Sequence, residues 1–430
     1  MLARIRQAYS IRNNFRQLFN RPNDNYAVID GLRAFSMISI MAFHCFRGMR
    51  YGLEWDSFVR LMDETPPWLN WIWNADKSLD IFFVISGFLI AGLLFREYQQ
   101  NQCIGFKSFY IRRFLRLSPV YFFAMLIYWL ASGSGGNVEN LWTNMLYINN
   151  FLPIEEQAMG WCWSLAVEEQ FYLIFPIFLS TLFFNVRYRM LVLGALFLLS
   201  FFINYIIMVN DEIIWNATLA DIYYDEQTFR HSFSLMYDKL HTRYACFITG
   251  IAAAYLHYFH GEKLKAFFDN SFNNFMVTAI STSILAYLMA SRIYHPNIEH
   301  SNEFKNIYII GCRQLFGAAL SSLILAMLYP KGLSKAISAL FSSRLWYPIA
   351  QLSYSMYLFH FMIVFTALVS FKANLDYHKI DYSALPVSWM GIVFATVFVA
   401  TIIVSVITYL LIEKPFMNLR GGFRAQLKNN

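Results

Sequence analysis

The sequence predicts an all-α, polytopic membrane helical bundle of about ten transmembrane helices with both termini cytoplasmic. Three observations carry that prediction. Of the 430 residues, 57% are hydrophobic and 14% charged, against roughly 45–50% and about 25% in soluble domains. Runs of about 20 apolar residues recur along the whole chain, the length needed to cross a ~30 Å hydrocarbon core. Lys and Arg gather in alternate inter-span segments, which the positive-inside rule makes cytoplasmic.

Hydropathy places the spans at 29–49, 77–96, 117–133, 163–184, 190–209, 241–260, 273–292, 306–328, 349–371 and 389–412. The first 26 residues are polar and carry Arg4, Arg6, Arg12, Arg16 and Arg21 ahead of any long apolar run. The expectation is therefore an uncleaved first span that acts as its own insertion signal. One transmembrane domain, 27–415, is expected between a cytoplasmic N-terminal segment, 1–26, and a cytoplasmic tail, 416–430. The formal charge of +7 reads as membrane orientation, so no nucleic acid partner is expected. No internal repeat is apparent, which counts against a secondary transporter. Cys45, Cys103, Cys162, Cys246 and Cys312 stand singly without metal-ligand spacing, so no metal site is expected. Two long segments face outward. One, 50–76, holds Trp55, Trp68, Trp71 and Trp73; the other, 210–240, is acidic. The tryptophans read either as interfacial anchors or as a platform for stacking sugars.

Polar residues inside apolar runs mark the candidate chemistry, because burying them in a bilayer is costly. Arg33 and His44 are eleven residues apart in the first span. At 100° per residue they lie within about 20° of one helical face, ~16 Å apart along the axis. A neutral imidazole there can act as general base toward a hydroxyl, or it can simply hydrogen-bond a neighbouring helix. Asp30, one turn before Arg33, is a plausible ion-pair partner. In the second span, Asp80-Ile81-Phe82-Phe83-Val84-Ile85-Ser86-Gly87 sets an interfacial Asp80 at the outer end. Gly87 there removes side-chain bulk, for helix packing or for a narrow ligand. Arg113 and Arg116, just before the third span, share a helical face and can grip a phosphate or anchor the cytoplasmic end. Trp163-Ser164-Leu165-Ala166-Val167-Glu168 opens the fourth span, where a carboxylate must face protein or water. Ser353, Tyr354, Tyr357 and His360 place hydroxyls and a second imidazole in the ninth, residues that commonly hydrogen-bond between helices.

Taken in order, these pieces resemble the acyltransferase-3 family of multi-span enzymes that O-acylate bacterial surface polysaccharides and other glycosides. The resemblance rests on Arg33 with His44, Phe82-Phe83-x-x-Ser86-Gly87-Phe88-Leu89, Arg113-x-x-Arg116, Trp163-Ser164-Leu165-x-x-Glu168, Ser353-Tyr354-x-x-Tyr357-Leu358-x-His360 and Glu413-x-Pro415. It implies a membrane O-acyltransferase, foremost an O-acetyltransferase, of the bacterial inner membrane. The acyl group would pass from cytoplasmic acetyl-CoA or another acyl-CoA, a substrate and not a resident cofactor, to a hydroxyl of a saccharide or glycolipid acceptor such as lipopolysaccharide. By the same resemblance His44 is the catalytic centre, either deprotonating the acceptor hydroxyl or carrying the acyl group transiently, with Glu168 orienting it or the acceptor. Arg33, Arg113 and Arg116 bind the donor, and Ser86 and Gly87 line its pantetheine passage. Asp30, Phe82, Phe83, Trp163, Ser164, Tyr354, Tyr357 and His360 support the site. Relaying members of the family carry a fused extracytoplasmic esterase-like domain; none is visible here, so direct transfer is expected. The competing class is a transporter or flippase for a polyisoprenyl-linked or otherwise amphipathic substrate.

Overall fold

A computed structural model describes residues 6–22, 26–380 and 386–419. The expected N-terminal segment lies partly, and the expected tail mostly, outside the described residues. Among the described residues every regular element is helical. The principal helices are α1 (Ile11–Phe19), α2 (Ala27–Gly48), α3 (Ser78–Asn101), α4 (Phe106–Ser132), α5 (Trp163–Thr181), α6 (Arg189–Val209), α7 (Leu240–Phe259), α8 (Ser271–Ala290), α9 (Asn302–Leu328), α10 (Trp346–Tyr377) and α11 (Ser388–Thr408). Among the described residues, nine helical stretches are long and apolar enough to cross a membrane, and the protein is an integral, polytopic helical membrane protein.

The remaining expected span, 241–260, folds as α7 and is less apolar for a physical reason. Its Thr242, Arg243 and Thr249 are buried, and the helix packs on α3, α6 and α9. A helix enclosed by protein can keep polar residues that a lipid-facing helix cannot. The expected start of the third span at 117 is also corrected. Helix α4 begins at Phe106 and runs through Pro119, so Arg112, Arg113 and Arg116 lie within its first three turns and not before it. Hydropathy locates where apolar residues begin; backbone hydrogen bonding carries the helix further, into the charged interface.

The chain divides into two compact units, Met1–Ser57 with Gly105–Val138 and Ser342–Asn430, and Phe58–Ile104 with Glu139–Phe341. In the first unit α10 packs along α2 and also contacts α4 and α11. Arg33 meets Ser353, His44 meets His360 and Gly48 meets Leu368, so positions rise together along both helices and α2 and α10 run parallel. In the second unit α3 and α7 form the corresponding parallel pair: Phe83 stacks on Phe247 and Phe95 packs on Phe259.

Glycine makes the α3–α7 pair possible. A Cβ at Gly87 would run into the Phe247 backbone, and one at Gly250 into the Val84 carbonyl and the Phe88 amide. Each helix thus leaves out a side chain where the other's backbone passes. Asp80 and Arg243 stand seven residues before these glycines. Two helical turns return each to the same face, so the ion pair they form lies in this same interface. Gly250→Ala is expected to lower stability by ~2 kcal/mol or more, the scale of a forced overpacking. The check is a lower apparent Tm in detergent for this variant, against an unchanged Tm for Gly194→Ala, where a Cβ meets nothing within 4 Å.

Candidate functional site

In the first unit the candidate residues gather at two levels of the α2–α10 pair. At the lower level, near the starts of both helices, Arg33 donates to the Ser353 hydroxyl at 2.9 Å, which in turn donates to the Ala350 carbonyl at 2.9 Å. Ser355 donates to the Glu413 carboxylate at 2.6 Å, in the turn Tyr409–Glu413 that extends α11. Arg116, Arg33 and Lys414 are all within electrostatic reach of that buried carboxylate. Tyr354 donates to the Leu117 carbonyl at 2.8 Å and so fastens α10 to α4 beside Arg116. Arg113 lies over the Phe109 ring at 5.8 Å, and Asp30 is met by Arg21 at 3.6 Å. The result is a strongly basic end with one buried acid among several cations. Cations in such excess suit a polyanion.

At the upper level His44 and His360 face each other, with ring centroids 5.3 Å apart. Phe361 meets His44 edge-on at 5.1 Å and Phe43 packs on it at 5.3 Å. His360 is fully buried, and its Nδ1 lies 2.6 Å from the Tyr357 carbonyl. A carbonyl only accepts, so Nδ1 carries the proton. In the neutral ring Nε2 is then the lone-pair nitrogen, and it has no hydrogen-bond partner among the described residues. His44 is half-buried.

The second unit holds Phe82, Phe83, Ser86, Gly87, Trp163, Ser164 and Glu168. Ser86 donates to Glu168 Oε1 at 2.8 Å. The Tyr172 hydroxyl lies 3.1 Å from Ser86 Oγ and 3.4 Å from Glu168 Oε2. Since the single Ser86 proton goes to the carboxylate, the one Tyr172 proton is shared between Ser86 Oγ and the more distant Glu168 Oε2. The half-buried Glu168 carboxylate thus accepts firmly from Ser86 and keeps acceptor capacity to receive a further proton or to orient a hydroxyl. Trp163 is buried against Phe83 at 6.1 Å, Phe233 and Tyr237. Ser164 is buried one residue on. Beside Gly87 the space is taken by the Phe247 backbone.

Asp80, expected as an interfacial group at the end of its span, is enclosed by protein. It is fully buried, paired with Arg313 at 2.5 Å and Arg243 at 3.2 Å. Arg313 also binds Asp76 at 2.6 Å, and Asp76 meets Lys77 at 3.2 Å. Aromatic faces complete the cluster: Tyr237 lies under both Arg243 and Arg313, at 4.3 and 4.8 Å, and Tyr294 lies under Lys77 at 4.9 Å. Position near the end of a hydropathy span does not reveal burial. Partners from two distant helices supplied what the local sequence lacked.

The acyltransferase-3 profile, described as an acyltransferase domain, matches residues 26–410. The chain belongs to the acyltransferase-3 family. A Staphylococcus aureus (strain COL) protein named for O-acetyl transfer is 26% identical over 354 residues, covering 78% of this chain and 50% of that protein. The peptidoglycan O-acetyltransferase of Listeria monocytogenes is 33% identical over 173 residues, 35% of this chain and 24% of its own. An O-acetyltransferase of S. aureus (strain NCTC 8325) is 30% identical over 190 residues, 40% of this chain and 27% of its own. The chain therefore spans about half the length, or less, of these relatives. No solved structure matches it significantly.

Within this acyltransferase-3 domain, sequence reasoning singled out neither Tyr172, Arg243 and Arg313 nor Asp76 with Lys77. The two arginines were findable: each stands inside an apolar run, the signal that marked His44. Tyr172, an aromatic in an apolar helix, gave no such signal.

Next to the buried cluster, Asp238 is held by Gln157 at 2.9 Å and Lys239 at 3.0 Å, and its carbonyl accepts from Asn150 at 3.0 Å. Burial outweighs the Lys239 charge and pushes its carboxyl up to about 6. The folded protein therefore keeps this proton between about pH 4 and 6, where the unfolded chain has lost it. Stability from this group is full below about pH 4 and is lost as pH rises through 6, at up to about 1.4 kcal/mol per unit. Thermal melts across that window are expected to show a falling Tm component that Asp238→Asn removes.

Proposed function

We propose that the chain is a membrane O-acetyltransferase. It takes the acyl group from acetyl-CoA on the cytoplasmic side of a bacterial inner membrane and passes it to a hydroxyl of an extracytoplasmic or lipid-linked saccharide. The observation that carries this reading is the parallel α2–α10 pair, with Arg33 fixed by Ser353 at one level and the His44–His360 pair at the next. One rigid pair of helices thus joins a basic end, fit for coenzyme phosphates, to an imidazole about 16 Å further along. Arg113 and Arg116 add charge at the phosphate end, on the side where positive-inside orientation puts the coenzyme.

In this reading the neutral His44 ring takes the proton of the acceptor hydroxyl as its oxygen attacks the thioester carbonyl. The carbon–sulfur bond breaks, the coenzyme thiolate leaves, and the imidazolium returns the proton to it. His360, its Nδ1–H held by Tyr357, supports the His44 ring. Glu168, which accepts from Ser86, serves acyl transfer as a proton-accepting or hydroxyl-orienting group of the second unit. The family membership and the O-acetyltransferase names of the relatives support acetyl transfer. One of those names specifies peptidoglycan, which supports a saccharide acceptor.

Purified protein in nanodiscs with labelled acetyl-CoA tests the reading. His44→Ala is expected to lower transfer and thioester hydrolysis by about 10²–10⁴-fold, the usual worth of a general base. Undiminished turnover in that variant overturns the assignment. Replacing Arg113 and Arg116 by Ala is expected to raise the KM for acetyl-CoA by about tenfold or more with a much smaller change in kcat, as loss of charge-assisted phosphate bonds dictates. An unchanged KM returns these arginines to a purely topological role.

A further inference from the structure

We propose that Arg243 is a positioning residue for the Ser86–Glu168 pair, holding α3 and α5 at the spacing that brings the serine hydroxyl onto the carboxylate. This rests, for its functional consequence, on the reading that Glu168 serves acyl transfer; its geometric content stands without it.

One guanidinium touches both helices. Its Nη1 reaches Asp80 of α3 at 3.2 Å, six residues before Ser86, and its plane lies over Trp163 of α5 at 5.0 Å, five residues before Glu168. Behind it, Nε donates to the Tyr237 carbonyl at 2.7 Å and the Tyr237 ring lies at 4.3 Å. The group is therefore fixed by a carbonyl, a carboxylate and two ring faces, and Arg243 is almost fully buried. Helices are stiff over one or two turns. Clamping α3 at Asp80 and α5 at Trp163 therefore fixes the two points, about 9 and 7.5 Å further along, at which Ser86 and Glu168 meet. The Gly87–Gly250 crossing holds α7, which bears Arg243, against α3, so the clamp itself has a rigid base.

The arrangement separates positioning from plain charge compensation. Asp80 keeps a second cation, Arg313, at 2.5 Å, so Arg243→Lys leaves the carboxylate paired. Lysine has no flat face to lie between Trp163 and Tyr237 and no second donor edge. If Arg243 only balanced charge, lysine would replace it.

The experiment has a geometric arm and a kinetic arm. For the first, Ser86→Cys and Glu168→Cys are introduced together in the full chain with the exposed Cys103 changed to Ser. Cross-linking of the two thiols by a short bis-methanethiosulfonate, which spans the length the glutamate side chain had filled, is then followed by peptide mass spectrometry. With Arg243 in place the cross-link is expected to form rapidly; with Arg243→Lys or Arg243→Gln it is expected to form at least about tenfold more slowly. Equal rates in well-folded, monodisperse Arg243→Lys protein overturn the proposal. For the second, Arg243→Lys is expected to lower kcat about tenfold with the KM for acetyl-CoA within about twofold, and to have almost no further effect in a Glu168→Gln background, the signature of residues acting as a unit. Full multiplicative losses in that background overturn it. If cross-linking slows while Glu168→Gln retains full transfer, the positioning stands and the functional reading of Glu168 fails.

Discussion

A charge in an apolar interior persists only where something meets it, and the polar architecture of this protein follows from that requirement. Removing one partner of a buried ion pair costs several kcal/mol, because the survivor stays desolvated. The second unit satisfies the requirement with two carboxylates shared among three cations, Asp76 and Asp80 with Lys77, Arg243 and Arg313, and with tyrosine and tryptophan faces over the positive groups. The first unit satisfies it with Glu413, bound by Ser355 and set among Arg33, Arg116 and Lys414. Geometry at both places is therefore tightly prescribed.

Packing delivers that geometry. In the second unit, side-chain-free positions at Gly87 and Gly250 let α3 and α7 approach closely enough for Asp80 and Arg243, two turns away on the same faces, to pair. In the first unit, Tyr354 ties α10 to α4, while Ser353 and Ser355 tie it to Arg33 and to the end of α11. Serine and tyrosine hydroxyls thus act as interhelical fasteners around residues of larger chemical reach. The same helices that place Arg33 place His44, because both stand on α2 and each is met by α10.

Several residues singled out in the sequence acquired a clearer physical place. Arg33 with His44 was legible because helical phase alone puts them on one face, and α10 meets both. Glu168 stood out as a carboxylate in an apolar helix, and it accepts from Ser86, 82 positions earlier. The partners of Asp80 were hidden, since its neighbours in sequence say nothing of Arg243 and Arg313, which arrive from α7 and α9. Tyr172 was silent because a tyrosine in an apolar helix is ordinary until a carboxylate lies beside it.

The sequence by itself determined that the chain is a helical membrane protein, where most of its helices run within a few residues, and which family it resembles. Those properties depend on local composition, periodicity and short motifs, which one strand of text contains. The tertiary structure alone decided which polar groups are partners: the sharing of Asp80 by two arginines, the meeting of His44 with His360 and the burial of Glu413. Hydrogen bonds and ion pairs act over about 3 Å, and only folding brings residues hundreds of positions apart within that distance.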